Sequence, residues 1–178
     1  MSRLTSIKPE EATGKVAEIF ANLKKAVGKV PNGYAVVGSH SDDALGAALA
    51  FDAAVSRSTL GKADIETIKL VVSNVAGCAY CVAAHTFVGK MSGLAIDTLK
   101  QINTGVLTGD AKRDALVVYV RTLVTTHGAV PAEAVEAVRA AGYTERQLIE
   151  INLAIASITF SNLVNRVNDT TIDSPAVE

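Results

Sequence analysis

Two cysteines and a histidine lie close together near the middle of the chain, in a pattern that supports redox chemistry. Cys78 and Cys81 are the only two cysteines, and His85 follows Cys81 by four residues. A pair of thiols at this spacing can cycle between a dithiol and a disulfide, and a histidine one helical turn away can move protons. These three residues predict a redox-active site.

Helix geometry places the three side chains on one face if a helix begins near Cys78. At about 100° per residue, Cys81 and His85 then lie within roughly 60° of Cys78. Thiols in the first turn also lie near the positive end of the helix dipole, which lowers a thiol pKa. Tyr80 points away from this face, so we expect it to pack in the core or to contact a substrate.

Glu66 precedes Cys78 by twelve residues and reaches this face only if the chain reverses between them. A reversal between Asn74 and Gly77 makes the two flanking helices antiparallel. Glu66 then lies about 16 Å, and His85 about 12 Å, from the turn along the helix axes. This arrangement allows a relay in which Glu66 orients His85 and His85 takes the proton from Cys81.

Other interpretations of these residues stay open. Two cysteines in an Ala-rich helix can be small buried apolar residues without chemistry. Cys78, Cys81 and His85 can also supply three zinc ligands, although a structural zinc site wants a fourth and no second cysteine pair exists. Glu66 can be a solvated surface acid. Of the other histidines, His127 is predicted to cap a helix C-terminus, and His40 has no assigned role.

Apolar residues recur with helical spacing along most of the chain, and Gly, Pro and capping residues separate the segments. The last helix opens with a capping box, Thr144 with Gln147, and is expected to break near residues 161–162. A loop is expected from Pro31 to the N-cap Ser41, and a poorly ordered tail after Thr170. No period-two segment is long enough for a sheet, so the fold class is all-α. The predicted helices span roughly 16–27, 42–55, 63–75, 78–92, 96–103, 110–127, 131–141 and 145–169.

A repeated spacing of polar residues within the chain suggests a duplicated two-helix unit. Glu150 precedes Asn162 by twelve residues, as Glu66 precedes Cys78, and Asn165 and Asp169 take the places of Cys81 and His85. In this interpretation the second copy has lost its thiols. The alternative is a chance coincidence between two amphipathic helices.

Length, charge and hydropathy limit the domain count and the partners expected for this chain. A length of 178 residues predicts one domain over 1–178, with 1–9 and 170–178 as terminal extensions. A net charge of -1 without basic tracts argues against a nucleic-acid partner. No apolar run approaches about 20 residues, and the N-terminus lacks the apolar core of a signal peptide, so we expect a cytoplasmic protein without a membrane partner. A mean hydropathy of +0.29 favours a homo-oligomer that buries apolar surface between subunits.

The set Glu66, Cys78, Cys81 and His85 resembles the active-site signature of the AhpD-like alkylhydroperoxidases, within the carboxymuconolactone decarboxylase superfamily. The resemblance spans about residues 10–169 and implies an all-helical AhpD-like bundle that assembles as a homotrimer or homohexamer. It implies no cofactor and no metal. Because the decarboxylases proper lack the paired thiols, decarboxylation is disfavoured.

The resemblance also implies a role for each residue. Cys81 corresponds to the thiol that attacks a hydroperoxide, and Cys78 to the thiol that closes the disulfide. His85 and Glu66 correspond to the proton relay. A dithiol reductant, lipoylated or thioredoxin-like, would reopen the disulfide. This chain departs from the alkylhydroperoxidase itself at Tyr80, where that enzyme has a second histidine. The alternative function is a redox-sensing, disulfide-exchange or metal-binding module without peroxide turnover.

Overall fold

A computed structural model describes residues 2–177, and these form α-helices without any strand. The described part of the chain therefore has the predicted all-α class. A short 3₁₀ turn at Pro9–Glu11 precedes the first helix. The helices are α1 (Gly14–Val27), α2 (Asn32–His40), α3 (Asp42–Ser56), α4 (Lys62–Val75), α5 (Ala79–Met91), α6 (Ile96–Thr104), α7 (Ala111–Thr125), α8 (Ala132–Ala140) and α9 (Glu145–Asn168).

Capping residues set several helix ends where the sequence predicts them. Ser41 accepts a hydrogen bond from the Ala44 amide at the start of α3. At the start of α9, the side chains of Thr144 and Gln147 form the predicted capping box. Gly28 ends α1 with a φ of 84°, a left-handed conformation that glycine adopts without strain. These caps satisfy backbone groups that a helix end otherwise leaves unpaired.

Helix α4 lies at the centre of the larger of two apolar clusters. It packs against α5, α7 and α9 and lies beside α6. Its side chains Ile68, Leu70 and Val71 are completely buried. A second cluster, around Phe20 and Leu45, joins α1, α2 and α3. Because α4 is covered on several sides, a polar residue on it is buried and needs a partner.

Helix α2 occupies a segment that the sequence analysis assigns to a loop, so that prediction is wrong. The turn formers Pro31, Asn32 and Gly33 lie at the start of the helix, where Pro31 is its N-cap. The Pro31 carbonyl accepts hydrogen bonds from the amides of Tyr34 and Ala35. Burial of the following apolar residues against α1 and α3 then outweighs the local turn preference.

Helix α9 runs without a break through residues 161–162, contrary to the expected interruption there. Asn162 and Asn165 are buried and project from the continuous helix instead of ending it. Among the described residues, α9 is the one helix long and apolar enough to cross a membrane by length and composition, a property that core helices share. Here α9 packs against α2, α3, α4 and α5.

The start of the C-terminal tail is anchored, which corrects the expectation of a poorly ordered tail. Thr170 is buried. The Asp173 carboxylate accepts a hydrogen bond from the Asn32 amide and pairs with Lys29. The predicted tail also includes residue 178, which lies outside the described residues. The N-terminal extension is anchored in a similar way, since the Arg3 amide donates to the Asn168 carbonyl.

Candidate functional site

A tight turn joins α4 to α5 and reverses the chain where the sequence analysis requires it. Gly77 lies in this turn with a φ of 65°, a conformation in which a side chain is strained. The Cys78 amide donates to the Ser73 carbonyl at 3.0 Å. Cys78 is the N-cap of α5, so the predicted helix start at the cysteine motif is confirmed.

The two thiols face each other inside the protein. Their sulfurs lie 2.9 Å apart, and both cysteines are free and buried. The Cys81 amide also donates to the Cys78 sulfur at 3.4 Å, which is the N-cap hydrogen bond of α5. A disulfide has an S–S bond of about 2.05 Å, so only a small movement separates the dithiol from the disulfide.

Glu66 and His85 meet across the α4–α5 hairpin. The Nδ1 atom of His85 lies 2.8 Å from Oε2 of Glu66, and their side chains are only 16% and 9% exposed. Because a carboxylate accepts, Nδ1 carries the proton of a neutral imidazole and Nε2 is left to exchange a proton. Glu66 is therefore a buried partner of His85 and not a solvated surface acid. Among residues 2–177, His85 makes no hydrogen bond to either sulfur.

Two asparagines of α9 complete the surroundings of the thiols. Asn165 donates from Nδ2 to the Cys81 sulfur at 3.5 Å. Asn162 donates from Nδ2 to Ser73 Oγ at 3.1 Å. The Oδ1 atoms of both asparagines are buried without a hydrogen-bond partner. The sequence predicts that these two residues are part of a second copy and of the stretch that the family resemblance covers, but not that they lie beside the thiols. Two amides one turn apart on an otherwise apolar helix are the signal that points to this position.

The surroundings of the two thiols shift their pKa values in opposite directions. The contact with the Cys81 side chain stabilises the Cys78 thiolate most, and the Cys81 amide, Asn162 and Arg166 add to this effect, so the pKa of Cys78 falls to about 6. The pKa of Cys81 is raised because its proton is held against Cys78 and because the thiol is buried. The surroundings therefore favour Cys78 over Cys81 as the sulfur that ionises first. The family resemblance instead assigns the attacking role to Cys81.

Tyr80 is buried in the core. Its hydroxyl accepts a hydrogen bond from the Gly33 amide at 3.0 Å and so joins α5 to α2. Burial raises the pKa of Tyr80. A Cβ on Gly33 would lie 3.0 Å from Oδ1 of Asn165 and 3.1 Å from the Tyr80 ring, so a larger residue there would require these side chains to shift. Substrate contact by Tyr80 stays a prediction.

A second buried polar cluster, centred on Asp52, has no counterpart in the sequence analysis. The Asp52 carboxylate accepts from Tyr34, Lys69 and Ser157. Burial opposes its ionisation, but Lys69 and these hydrogen bonds together lower the pKa of Asp52. The cluster ties α2, α3, α4 and α9 together around the thiols.

Among the described residues, Cys78, Cys81 and His85 do not form a zinc site, and the two remaining histidines lie elsewhere. Within the part of the chain that the structure describes, no group of three or more His, Cys, Asp or Glu side chains is arranged to hold a metal ion. Nε2 of His40 lies 2.8 Å from the Thr5 carbonyl. His127 directly follows the C-cap of α7 and has a φ of 54°.

Comparison with known proteins gives a family match over part of the chain and a shared fold over nearly all of it. The model of the carboxymuconolactone decarboxylase family matches residues 42–108. No curated protein sequence matches the chain. Among solved structures, one similar protein is a peroxidase-related protein of Ralstonia eutropha JMP134, described as an alkylhydroperoxidase AhpD core. Its TM-score is 0.87 at 20% sequence identity, and the aligned region covers 97% of this chain and 92% of that protein's chain.

Two further structures have the same fold. A peroxidase-related protein of Silicibacter sp. TM1040 has a TM-score of 0.84 at 18% identity and covers 96% of this chain and 91% of its own. The debrominase Bmp8 has a TM-score of 0.79 at 19% identity and covers 96% of this chain and 92% of its own. The family match includes Glu66, both cysteines and His85. Residues 42–108 therefore match the carboxymuconolactone decarboxylase family, and the chain has the helical fold of the AhpD-like proteins.

Proposed function

We propose that this protein is an oxidoreductase that reduces hydroperoxides with the dithiol Cys78–Cys81. The observation that carries the proposal is the pair of free sulfurs 2.9 Å apart, with a buried Glu66–His85 pair one helical turn beyond. The superfamily contains enzymes, and two of the similar structures are peroxidase-related proteins. The similar debrominase shows that the fold also supports other chemistry, so the reaction needs a direct test.

The first step transfers oxygen to Cys81. Its proton moves to the Cys78 thiolate across the 2.9 Å contact, so the acidity of Cys78 and attack by Cys81 are compatible. The Cys81 thiolate attacks the terminal oxygen of the hydroperoxide, the O–O bond breaks, and Cys81 becomes a sulfenic acid. The alkoxide that leaves takes the proton from Cys78 and departs as the alcohol.

The second step closes the disulfide. The Cys78 thiolate attacks the Cys81 sulfenic acid, the S–S bond forms, and hydroxide leaves. His85, protonated from solvent and stabilised by Glu66, donates from Nε2 so that water departs. The hydroperoxide has been reduced by two electrons, and the dithiol has been oxidised by two. A dithiol reductant, lipoylated or thioredoxin-like, restores both thiols.

Trapping of the sulfenic acid tests the assignment of roles. Reduced protein is treated with a few equivalents of cumene hydroperoxide in the presence of dimedone, and the adduct is located by mass spectrometry. We expect an adduct on Cys81 to accumulate in Cys78→Ser, whereas the native protein forms the disulfide. An adduct on Cys78 in Cys81→Ser, with Cys81 untouched in Cys78→Ser, would reverse the roles.

Assembly and location are part of the proposal. Large apolar side chains such as Met91, Leu107 and Val118 are exposed. A homotrimer or homohexamer would bury surface of this kind. A reducing cytoplasm would keep both thiols reduced between turnovers. A sensor without turnover would form the disulfide once and consume no further peroxide when a dithiol reductant is present, and this outcome would refute the proposed activity.

A further inference from the structure

A cavity of about 320 Å³ opens between α4, α7 and α9. Asn162 in its wall also stabilises the Cys78 thiolate, which connects the cavity to the dithiol. The walls of the cavity are mainly apolar and include Val72, Val75, Val124 and Leu163. Pockets of about 300–1,000 Å³ with apolar walls and a few polar groups are typical of small-molecule sites. The cavity is therefore a candidate route and binding site for whatever reacts with the buried dithiol.

The inner wall of the cavity carries a buried acceptor without a donor. Asn162 lines the cavity and is 2% exposed. Its Nδ2 is used by Ser73, whereas its Oδ1 is buried and has no hydrogen-bond partner. An unpaired buried acceptor is unfavourable, so a ligand that brings a donor gains affinity there. The O–H group of a hydroperoxide is such a donor.

The outer wall carries a cation. Arg166 lines the cavity one helical turn beyond Asn162, and its charge also lowers the pKa of Cys78. His127 lines the same cavity from the end of α7. No acidic side chain of the described chain is among the cavity residues. A negatively charged group on a ligand is therefore favoured here and meets no opposing carboxylate.

We infer that the cavity binds a compact apolar hydroperoxide that carries a carboxylate. Arg166 would receive the carboxylate, the apolar walls would hold the body, and Oδ1 of Asn162 would accept from the hydroperoxide O–H. Four residues of helix separate Asn162 from Arg166, or about 6 Å along the axis. This spacing suits a ring-sized body better than a long chain. The inference names the substrate class of the proposed function and rests on it.

Binding of two unreactive probes tests the site without any turnover. The probes are 4-isopropylbenzoate and its neutral isostere 4-isopropylbenzamide, titrated into the reduced protein and followed by calorimetry or NMR. We expect the benzoate to bind about fivefold more tightly, the upper range for an exposed ion pair. Equal affinities, or no binding of either probe, would overturn the inference.

Three variants test whether Arg166 causes the tighter binding of the benzoate probe. Arg166→Gln is expected to bring the affinity ratio of the two probes close to one. Arg57→Gln is the matched control, because Arg57 lies at the end of α3 and does not line the cavity. Val124→Phe fills the cavity from α7 and is expected to weaken both probes. A ratio that survives in Arg166→Gln, or falls equally in Arg57→Gln, would contradict the site.

Turnover measurements distinguish a failure of this inference from a failure of the proposed function. Cumene hydroperoxide and its 4-carboxylate have the same reacting group, and we expect a higher kcat/KM for the carboxylate. Selective probe binding with no turnover of either peroxide would refute the peroxidase activity and leave the anion site standing. Turnover of both peroxides with equal kcat/KM would refute the carboxylate preference alone.

Discussion

Two segments of this chain have the same spacing of polar residues and very different structures. In residues 66–85, a turn at Gly77 divides the segment into α4 and α5. In residues 150–169, Ser161 occupies the place of Gly77, and α9 continues to Asn168. A single residue able to adopt a positive φ therefore separates a hairpin from a straight helix.

The difference decides what each glutamate can reach. Glu66 is folded back onto the hairpin and bonds to His85. Glu150 lies on a continuous helix about 18 Å from Asn162 along the axis. It accepts instead from Thr59 and Arg146 at the other end of α9. The same sequence spacing forms a Glu66–His85 pair across a hairpin in one segment, and contacts of Glu150 with Thr59 and Arg146 in the other.

The comparison also corrects the predicted duplication. The second segment is one helix, so the two-helix unit is not repeated in the fold. Asn162 and Asn165 do not mark a second, inactive site, because α9 carries them to the thiols of the first segment. Equal spacing in sequence thus says little until the helix breaks are known.

The largest expected effect distinguishes the two glutamates by activity. Glu66→Gln removes the charge that supports His85, and we expect hydroperoxide turnover to fall about 100-fold, the lower range for loss of acid–base catalysis. Glu150→Gln is the matched control at the equivalent position and should stay within about twofold. Steady-state kinetics with cumene hydroperoxide measures both. Equal losses would remove the functional distinction between the segments.

Exchange of the residue at the helix break has a smaller effect, on stability. Gly77→Ser places a side chain at a φ of 65°, with no atom within 4 Å of the new Cβ, so strain alone should cost about 1–2 kcal/mol. Ser161→Gly inserts glycine into α9 and should cost roughly 0.5 kcal/mol. Urea unfolding gives both values. A larger loss in Ser161→Gly would contradict the role assigned to Gly77.

The smallest expected effect tests whether α9 serves the thiols. The pKa of Cys78 is about 6, so its thiolate, and its alkylation by iodoacetamide, should be lost as the pH falls through 6. Asn162→Ala removes one stabilising hydrogen bond, raises this pKa, and should slow alkylation at pH 6 by roughly three- to tenfold. Peptide mapping follows the alkylation of each cysteine.

Asn152→Ala is the control for the alkylation experiment. Asn152 lies on the same helix but is exposed. Its replacement should leave the pH profile unchanged. A profile that shifts equally in the two variants, or that rises only near the ordinary thiol pKa, would show that the α9 amides do not tune Cys78.

The juxtaposition of the cysteines, His85 and Glu66 was predictable because their geometry is local. Helical spacing relates Cys78, Cys81 and His85, and one reversal at a glycine brings Glu66 to His85. The structure confirms that juxtaposition at 2.8 Å. Which sulfur carries the charge was not predictable in this way, because it depends on buried donors from α9 as well as on the helix start.

Features that depend on tertiary packing were missed. Helix α2 begins with turn-forming residues and is held by burial against α1 and α3, which local patterns do not report. The Asp52 cluster joins Tyr34, Lys69 and Ser157 from three other helices, with no recognisable spacing between them. Asn165 reaches Cys81 only because α9 crosses the hairpin.

The central claim is that the dithiol reduces hydroperoxides, and single-turnover stoichiometry tests it most directly. Reduced protein is mixed with increasing cumene hydroperoxide, and free thiols, alcohol and protein mass are measured together. The account predicts one alcohol formed for each pair of thiols lost, a Cys78–Cys81 disulfide as the product, and much slower disulfide formation in Glu66→Gln than in Glu150→Gln. Thiols that persist while peroxide remains, or disulfide formation that proceeds equally fast in both variants, would contradict it.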